Sequence, residues 1–399
     1  MTDIDQQMSL LSRRCERIIV DAELRKKLQT SAATGKQLRV KLGMDPTAPD
    51  LTLGNAVPLK VVRQFQDWGH KAVLIIGDYT ARVGDPTGRN VTRKVLSGEE
   101  IDANAKRFVD QVAKVVKTDP EHLEIRFNGE WLGKMGLVEI IKLASRKSVA
   151  QVLTRDDFAN RFAAGVDIRL HELLYPLLQG WDSVAIEADI EMGGSDQLFN
   201  NMVGREFQKE QGGEGQIVMV TPLLVGLDGV KKMSKSLGNY VGLTDPPGGS
   251  GGMFGKIMKL PDSLMESYYT LLTDLPAEEY RPLIAGKPRD AKVALAKHII
   301  TWLHDGAAAD AAEKDFMTAT HGGIPDDVPE LKLETTGPHK LAPLMVRAGM
   351  VASNGEGIRK IKEGGVRIDS VKVSDFQKEW TFEKSVVLQL GSSKFVRLV

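Results

Sequence analysis

Leu38-Arg-Val-Lys-Leu-Gly-Met44 alternates apolar residues with others, and period two is the pattern of a strand. It runs into Asp45-Pro-Thr-Ala-Pro-Asp50, a turn of prolines and aspartates. Gly54 and Asn55 then open a helix whose Val57, Val61, Val62, Phe65 and Trp68 fall on one face, and Gly69 stops it. Ala72-Val-Leu-Ile-Ile76 follows, apolar throughout, as a strand buried on both faces is. Strand, helix and strand joined by short turns make a βαβ unit. The predicted fold class is therefore α/β with a parallel sheet.

Working outward, the second strand ends in Gly77-Asp-Tyr-Thr-Ala-Arg-Val-Gly-Asp-Pro-Thr-Gly88. Ligands of open α/β sheets bind outside the carboxyl ends of strands, so two polar loops at two such ends mark one site. Neither loop is a Walker A or a GxGxxG turn. Residues 97–165 read as mainly helical, with Ile101–Val116 and Leu137–Val149 as helices of an insertion between the halves of the sheet. Arg155-Asp-Asp-Phe158, at its far end, reads as an ion-paired structural turn outside the site, and helix continues through His171–Gln179. Residues 1–34 read as helix. Ser183–Glu191 reads as a strand or strand pair, leading into Gly193-Gly-Ser-Asp-Gln197, where Ser195 or Asp196 is a candidate N-cap. The strand Ile217–Val225 then delivers Lys231-Lys-Met-Ser-Lys-Ser-Leu-Gly-Asn239. Glycines flank this run, so it is a loop. Two ammonium groups with hydroxyls between them suit a polyphosphate; the bland alternative is a solvated charge run.

Beyond Gly238 the texture changes. Pro246–Gly252 reads as a flexible linker and 253–318 as helical, for instance Ala291–Trp302 and Ala307–Met317. Residues 321–340 form a second linker. Residues 341–399 make a small α/β module: helices Leu341–Ala348 and Gly355–Glu363, a Gly364-Gly365 turn, and strands such as Val366–Asp369 and Val386–Leu390. A chain of 399 residues, 42% hydrophobic and 27% charged, is long enough for two or three domains with buried cores. Its formal net charge is zero, so a nucleic acid must be held by local basic patches. One cysteine, Cys15, excludes an internal disulfide and reads as an inert small hydrophobe. The polar N-terminus is unlike a signal peptide and no apolar run approaches a membrane span, so the expected location is the cytoplasm, without a membrane partner.

Four motifs in order carry a resemblance. Lys232-Met-Ser-Lys-Ser236 is the KMSKS signature of class I aminoacyl-tRNA synthetases, and Asp45-Pro-Thr-Ala before a degenerate HIGH position resembles their first signature. Tyr175-x3-Gln179-x2-Asp182 with Gly193-Gly-Ser-Asp-Gln197 looks specifically like bacterial tyrosyl-tRNA synthetases, and the C-terminal module resembles an S4 RNA-binding domain. The resemblance implies a Rossmann-like catalytic domain over 1–240 with its helical insertion near 97–165, an α-helical anticodon-binding domain over 253–320, and an S4-like domain over 338–399. It implies ligation of L-tyrosine to tRNA(Tyr) through an adenylate, with ATP as co-substrate, Mg2+ accompanying the ATP but no metal site in the protein, and a homodimer joined near 97–165.

By the same resemblance, Lys232, Lys235 and Ser236 act on the leaving pyrophosphate, Thr47 meets the γ-phosphate, and Thr52 and Asn55 stand at the HIGH element. Asp85, Thr80, Tyr175, Gln179 and Gln197 line the tyrosine pocket, and Asp182 meets the phenol. Gly43, Asp45, Gly54, Gly193, Asp196 and again Lys235 form the ATP site, with Asp196 on the ribose. Arg347, Arg359, Lys360, Lys362 and Arg367 are the candidate RNA contacts, basic residues near a glycine turn. The bland readings are that Asp196 is only an N-cap, that Tyr175 and Gln179 are a packed i,i+4 pair, and that Asp85 is only a turn former. His70 and His171 read as structural.

Two departures stand out. Where relatives have His-Ile-Gly-His, this chain has Thr52-Leu-Gly-Asn55, which retains a hydroxyl and an amide donor but no imidazole. Lys41 stands where some relatives have a tyrosine near the substrate hydroxyl, so its head points elsewhere and hydroxyl recognition rests on Asp182. A ligase for tryptophan is the near rival, disfavoured because a buried carboxylate suits a phenol. A catalytically inactive paralogue that only binds RNA is the rival of another class, motivated by the altered residues at 52 and 55.

Overall fold

The computed structural model describes residues 3–47, 50–85, 97–249, 251–320, 328–333, 337–382, 384–391 and 394–399. The expectations for residues 48–49 and 86–88 of the two polar loops, and for half of the 321–340 linker, fall outside the described residues. The described chain divides into two compact units. The first holds residues 1–226, 230–244 and 270–272; the second holds 227–229, 245–269 and 273–399.

The first unit is built on a six-stranded sheet of order β1-β6-β5-β2-β3-β4. Its strands are β1 (Arg17–Ile19), β2 (Arg39–Met44), β3 (Lys71–Ile76), β4 (Leu123–Phe127), β5 (Ile190–Gly194) and β6 (Ile217–Thr221). β2 to β6 are mutually parallel and β1 runs antiparallel to β6 at the edge. Leu42 registers with Leu74 on one side and Met192 on the other, so β2, β3 and β5 end together. The chain first adds strands on one side of β2 and then returns to add β5 and β6 on the other. The sheet therefore reverses its winding between β2 and β5, the place where such sheets open a crevice.

The βαβ unit is as expected. Helix Leu53–Asp67 buries Val57, Val61, Val62 and Phe65, and Gly69, at φ +90°, turns the chain into β3. Elsewhere local pattern misleads. Residues 4–34 are two helices, Ile4–Arg14 and Asp21–Thr34, separated by β1, because the β-branched run at Ile18 and Ile19 finds β6 as a partner. The 97–165 region is not all helix: after helix Gly98–Val112 it contributes β4 to the sheet. Ser183 to Ala185 belong to helix Leu170–Ala185, and the strand begins only at Ile190. Glu187, at φ 50°, makes the turn between them. Burial pushes the Cys15 thiol up to about 12, which keeps it protonated and unreactive.

In the second unit, helices Met265–Leu272 (its last three residues counted with the first unit), Ala277–Ala285, Pro288–Leu303 and Gly306–Thr320 precede a five-stranded sheet. Pro246–Gly252 is not a free linker. The carbonyls of Pro246 and Pro247 accept from the Met253 and Phe254 amides at 2.7 and 3.0 Å, capping helix Met253–Ile257. The C-terminal core is formed by Leu341, Leu344, Met345, Ile361, Val366 and Leu388 with their neighbours.

Candidate active site

The loops after β2, β3, β5 and β6 and one face of helix Leu170–Ala185 enclose a cavity of about 1530 Å³. It is lined by Gly43, Asp45, Thr47, Thr52, Gly54, Asn55, Thr80, Asp85, Tyr175, Gln179, Asp182, Gly193, Asp196, Gln197, Lys232 and Ser236. The structure thus brings to one place nearly every site residue expected in this unit. The exception is Lys235, whose neighbours on both sides line the cavity.

At the deep end, Asp182 is 3% exposed. It accepts from the Trp131 indole at 2.8 Å and from the Asn128 amide at 3.3 Å. Burial pushes its carboxyl up to about 6, against the pull of Lys41 and of these two donors. Asn128 also donates to Thr80 Oγ1 at 2.9 Å, and Thr80 donates to Asp45 at 2.8 Å. The second oxygen of Asp45 accepts from the Tyr175 hydroxyl at 3.0 Å. Burial and the nearby carboxylates hold the Tyr175 phenol well above its usual range. A Cβ on Gly77 would collide with Asp45 and Thr80, so only glycine lets this knot form.

A second chain of bonds crosses the floor. Gln197 donates to Asp85 at 3.1 Å, and Asn200 donates to both Gln197 and Gln179 at 2.9 Å. Tyr175 and Gln179 are therefore not a self-contained packed pair, and Asp85 is more than a turn former. Arg155 was expected to be ion-paired and outside the site. It is ion-paired, to Asp157 at 2.8 Å, but also to Asp85 at 3.2 Å, and it lines the cavity. Trp131, Asn128, Arg155 and Asn200 are site residues the sequence reading missed. Arg155 alone left a signal, a buried-type ion-pair motif beside the insertion.

At the mouth, the lysine loop folds back as a tight hairpin. Met233 N–H donates to Leu224 O at 2.8 Å, and Asn239 bonds Ser234 N–H at 2.8 Å. Lys232 pairs with Asp196 at 2.8 Å, and Lys235 pairs with Asp50 while lying 5.7 Å from the Tyr240 ring centroid. Asp196 sits inside the turn Ser195–Gln197, and Gly194 and Gln197 hold the cap positions of that turn and of the helix after it, so the N-cap reading fails. Asn55 Oδ1 accepts from both the Thr52 amide, at 2.9 Å, and the Thr52 hydroxyl, at 3.0 Å. The two residues that replace the histidines are thus bonded to each other at the helix start, leaving the exposed Asn55 its NH2 as donor. The space a side chain would take at Gly54 faces Thr52 and Met233 of the lysine loop.

Of the candidate RNA contacts, Arg359, Lys360 and Lys362 lie on helix Asn354–Lys362 and Arg367 on the following strand, Val366–Ile368. Glu363 pairs with Lys360 at 3.1 Å, and Lys362 lies 4.4 Å from the Phe376 ring. Arg347 stands apart, donating to the Lys332 carbonyl at 3.3 Å.

The mostly parallel sheet with its crevice at the switch point, and the two-lysine hairpin at the mouth, fit a class I aminoacyl-tRNA synthetase. The family described as tRNA synthetases class I (W and Y) matches residues 33–320. The tyrosine–tRNA ligase of Deinococcus radiodurans is 48% identical over 99% of this chain and 97% of its own length. That of Colwellia psychrerythraea is 48% identical over 100% of this chain and 99% of its own. The fold matches a C-terminally truncated mitochondrial tyrosyl-tRNA synthetase of Aspergillus nidulans, with a TM-score of 0.63 and 23% identity over 80% of this chain and 94% of that one. It also matches the Archaeoglobus fulgidus tyrosyl-tRNA synthetase solved with L-tyrosine, with a TM-score of 0.62 and 22% identity over 77% and 99% of the two chains. The chain belongs to the tyrosine–tRNA ligase family.

Proposed function

We propose that this chain ligates L-tyrosine to tRNA(Tyr) in two steps driven by ATP. A tyrosine carboxylate oxygen attacks the α-phosphorus, the bond to the β-phosphate breaks and pyrophosphate leaves. A ribose hydroxyl of the terminal adenosine then takes the tyrosyl group and AMP leaves. Such transfers need positioning and charge neutralisation more than covalent help. The observation that carries the reading is Asp182: a carboxylate buried at the end of the cavity, with two protein donors in place, is what a phenol hydroxyl needs as a partner. A phenyl ring has no donor to fill its remaining acceptor capacity.

The roles follow from chemistry and position. Asp85, Tyr175, Gln179 and Gln197, with Thr80 behind them, receive the substrate ammonium. Asp196 takes the ribose, and Gly43, Asp45, Gly54 and Gly193 shape the nucleotide's berth. Lys232 and Lys235 neutralise the phosphates, Ser236 and Thr47 add hydroxyl contacts, Asn55 adds a neutral amide donor and Thr52 fixes Asn55. Mg2+ comes with the nucleotide phosphates. The cavity carboxylates Asp45, Asp85, Asp182 and Asp196 are each engaged by protein donors. Among the described residues, the three-donor group Asp119, Glu121 and His122 lies outside the cavity.

Helices 253–320 are assigned to the anticodon and residues 338–399, through Arg347, Arg359, Lys360, Lys362 and Arg367, to RNA. A homodimer is proposed through the helices between β4 and β5, which expose Leu137, Val138, Ile141, Val149 and Phe162. No described helix is long and apolar enough to cross a membrane, and the cytoplasm is the proposed site of action. The full chain is expected to esterify tyrosine to tRNA. A chain ending at residue 340 should keep tyrosine-dependent ATP–pyrophosphate exchange and lose most tRNA charging. Loss of exchange in the shortened chain would place the C-terminal module in the catalytic fold instead.

A further inference from the structure

Below the cavity floor lies a charge pair that the reaction does not use. Lys41 on β2 is 0% exposed and Glu191 on β5 is 1% exposed, and they meet at 2.8 Å. The Lys41 ammonium also donates to the Gln179 carbonyl at 3.0 Å and to Ser183 Oγ at 2.7 Å. Ser183 donates in turn to Glu191 at 3.0 Å, and Gln216 donates to the same carboxylate. Desolvating two charges this deeply costs about as much as their attraction returns, so apolar residues of similar size would stabilise the fold as well. What the pair supplies is position and charge. Residues 179 and 183 bracket Asp182 on one helical turn, and Lys41 grips both.

We propose that Lys41 is a positioning residue for amino-acid selection. Held by Glu191, it pins the turn that carries Gln179 and Asp182, and it provides the cationic counter-charge behind the Asp182 carboxylate. This rests on the reading of Asp182 as the partner of the substrate phenol. The charged and titratable groups about Asp182 are Lys41 from β2, Glu191 from β5 and Tyr175 from its own helix, the last bonded to Asp45. Trp131 and Asn128 add neutral donors from the segment after β4. Lys41 pulls the Asp182 carboxyl down and Glu191 pushes it up, and Lys41 has the larger effect of the two. A lysine at position 41 thus serves hydroxyl recognition without touching the hydroxyl.

The test is equilibrium binding of tyrosine and of phenylalanine to the full chain, from about pH 5 to about pH 8. In the unaltered protein the preference for tyrosine should fall as pH drops through about 6. Lys41→Met should move that midpoint up by about one unit and cost about tenfold of the preference near neutrality. The double variant Lys41→Met with Glu191→Gln loses both charges and should show a smaller upward move. It carries the test if the single variant does not fold. An unchanged midpoint and preference in a folded variant overturns the proposal. Asp182→Asn separates the two claims. If it keeps the original preference and pH profile, the reading of Asp182 itself fails. If it loses both while the Lys41 variants keep them, only the role of Lys41 fails.

Discussion

Three lysine–carboxylate pairings around this cavity have the same chemistry, but one lies in opposite surroundings to the other two. Lys41 and Glu191, under the floor, are 0% and 1% exposed. Lys232 and Asp196, at the mouth, are 45% and 21% exposed, and Lys235 and Asp50 are 26% and 38% exposed. The buried pair is locked by three further hydrogen-bonding groups and cannot exchange partners without leaving a charge stranded. The pairs at the mouth are worth about 0–1 kcal/mol each, so a phosphate can take either lysine from its carboxylate. The difference separates recognition from catalysis. The end that must discriminate is rigid and dry, and the end that must follow moving charge is held weakly.

The comparison breaks most visibly at the floor. Glu191→Ala should destabilise the chain by about 3–5 kcal/mol, read from denaturant midpoints, because it strands Lys41 in a dry site. A loss near zero would mean that water reaches the pair. Lys235→Ala should slow adenylate formation by roughly a hundredfold in single-turnover assays while tyrosine affinity stays unchanged. Equal losses in rate and affinity would deny the loop a transition-state role. Thr52→His with Asn55→His should lessen that penalty, since imidazoles would share the phosphate charge.

Asp182→Asn tests the cost of the dry end by pH. The Asp182 carboxyl titrates near 6 instead of its ordinary 3.8. Below 3.8 it is neutral folded or unfolded and no cost is present. As pH rises from 3.8 to about 6 the unfolded chain releases its proton while the folded one still holds it, and the fold loses stability across that window. Asp182→Asn should therefore stabilise the protein by about 2–3 kcal/mol at neutral pH and by almost nothing near pH 4, measured by thermal unfolding. Asp50→Ala is the smallest expected effect, under about 1 kcal/mol of stability, because it removes only a half-exposed partner.

The sequence spoke clearly where one stretch carries its own pattern. β2, helix Leu53–Asp67, β3 and the lysine hairpin are each legible from periodicity or flanking glycines. It was silent where a group is defined by a distant partner. β1 is a strand only because β6 lies beside it, and helix Leu170–Ala185 overrides the β-branched residues near its end by packing on helix Leu198–Glu210. Trp131 and Asn128 meet Asp182 across more than fifty residues, and Arg155 meets Asp85 across seventy. Lys41 was seen to depart from the family pattern, yet only the geometry shows its head held by Glu191. The residues at 52 and 55 read as keeping a hydroxyl and an amide donor in place of two imidazoles, and only the geometry shows them bonded to each other at a helix start.

The central claim is that the buried Asp182 and the lysine hairpin together make this a tyrosine-activating enzyme. ATP–pyrophosphate exchange by the full chain, run with tyrosine, tryptophan and phenylalanine side by side, tests it most directly. The account predicts exchange that depends on tyrosine and is far weaker with the other two. Preference for tryptophan, or no exchange with any of the three, would contradict it.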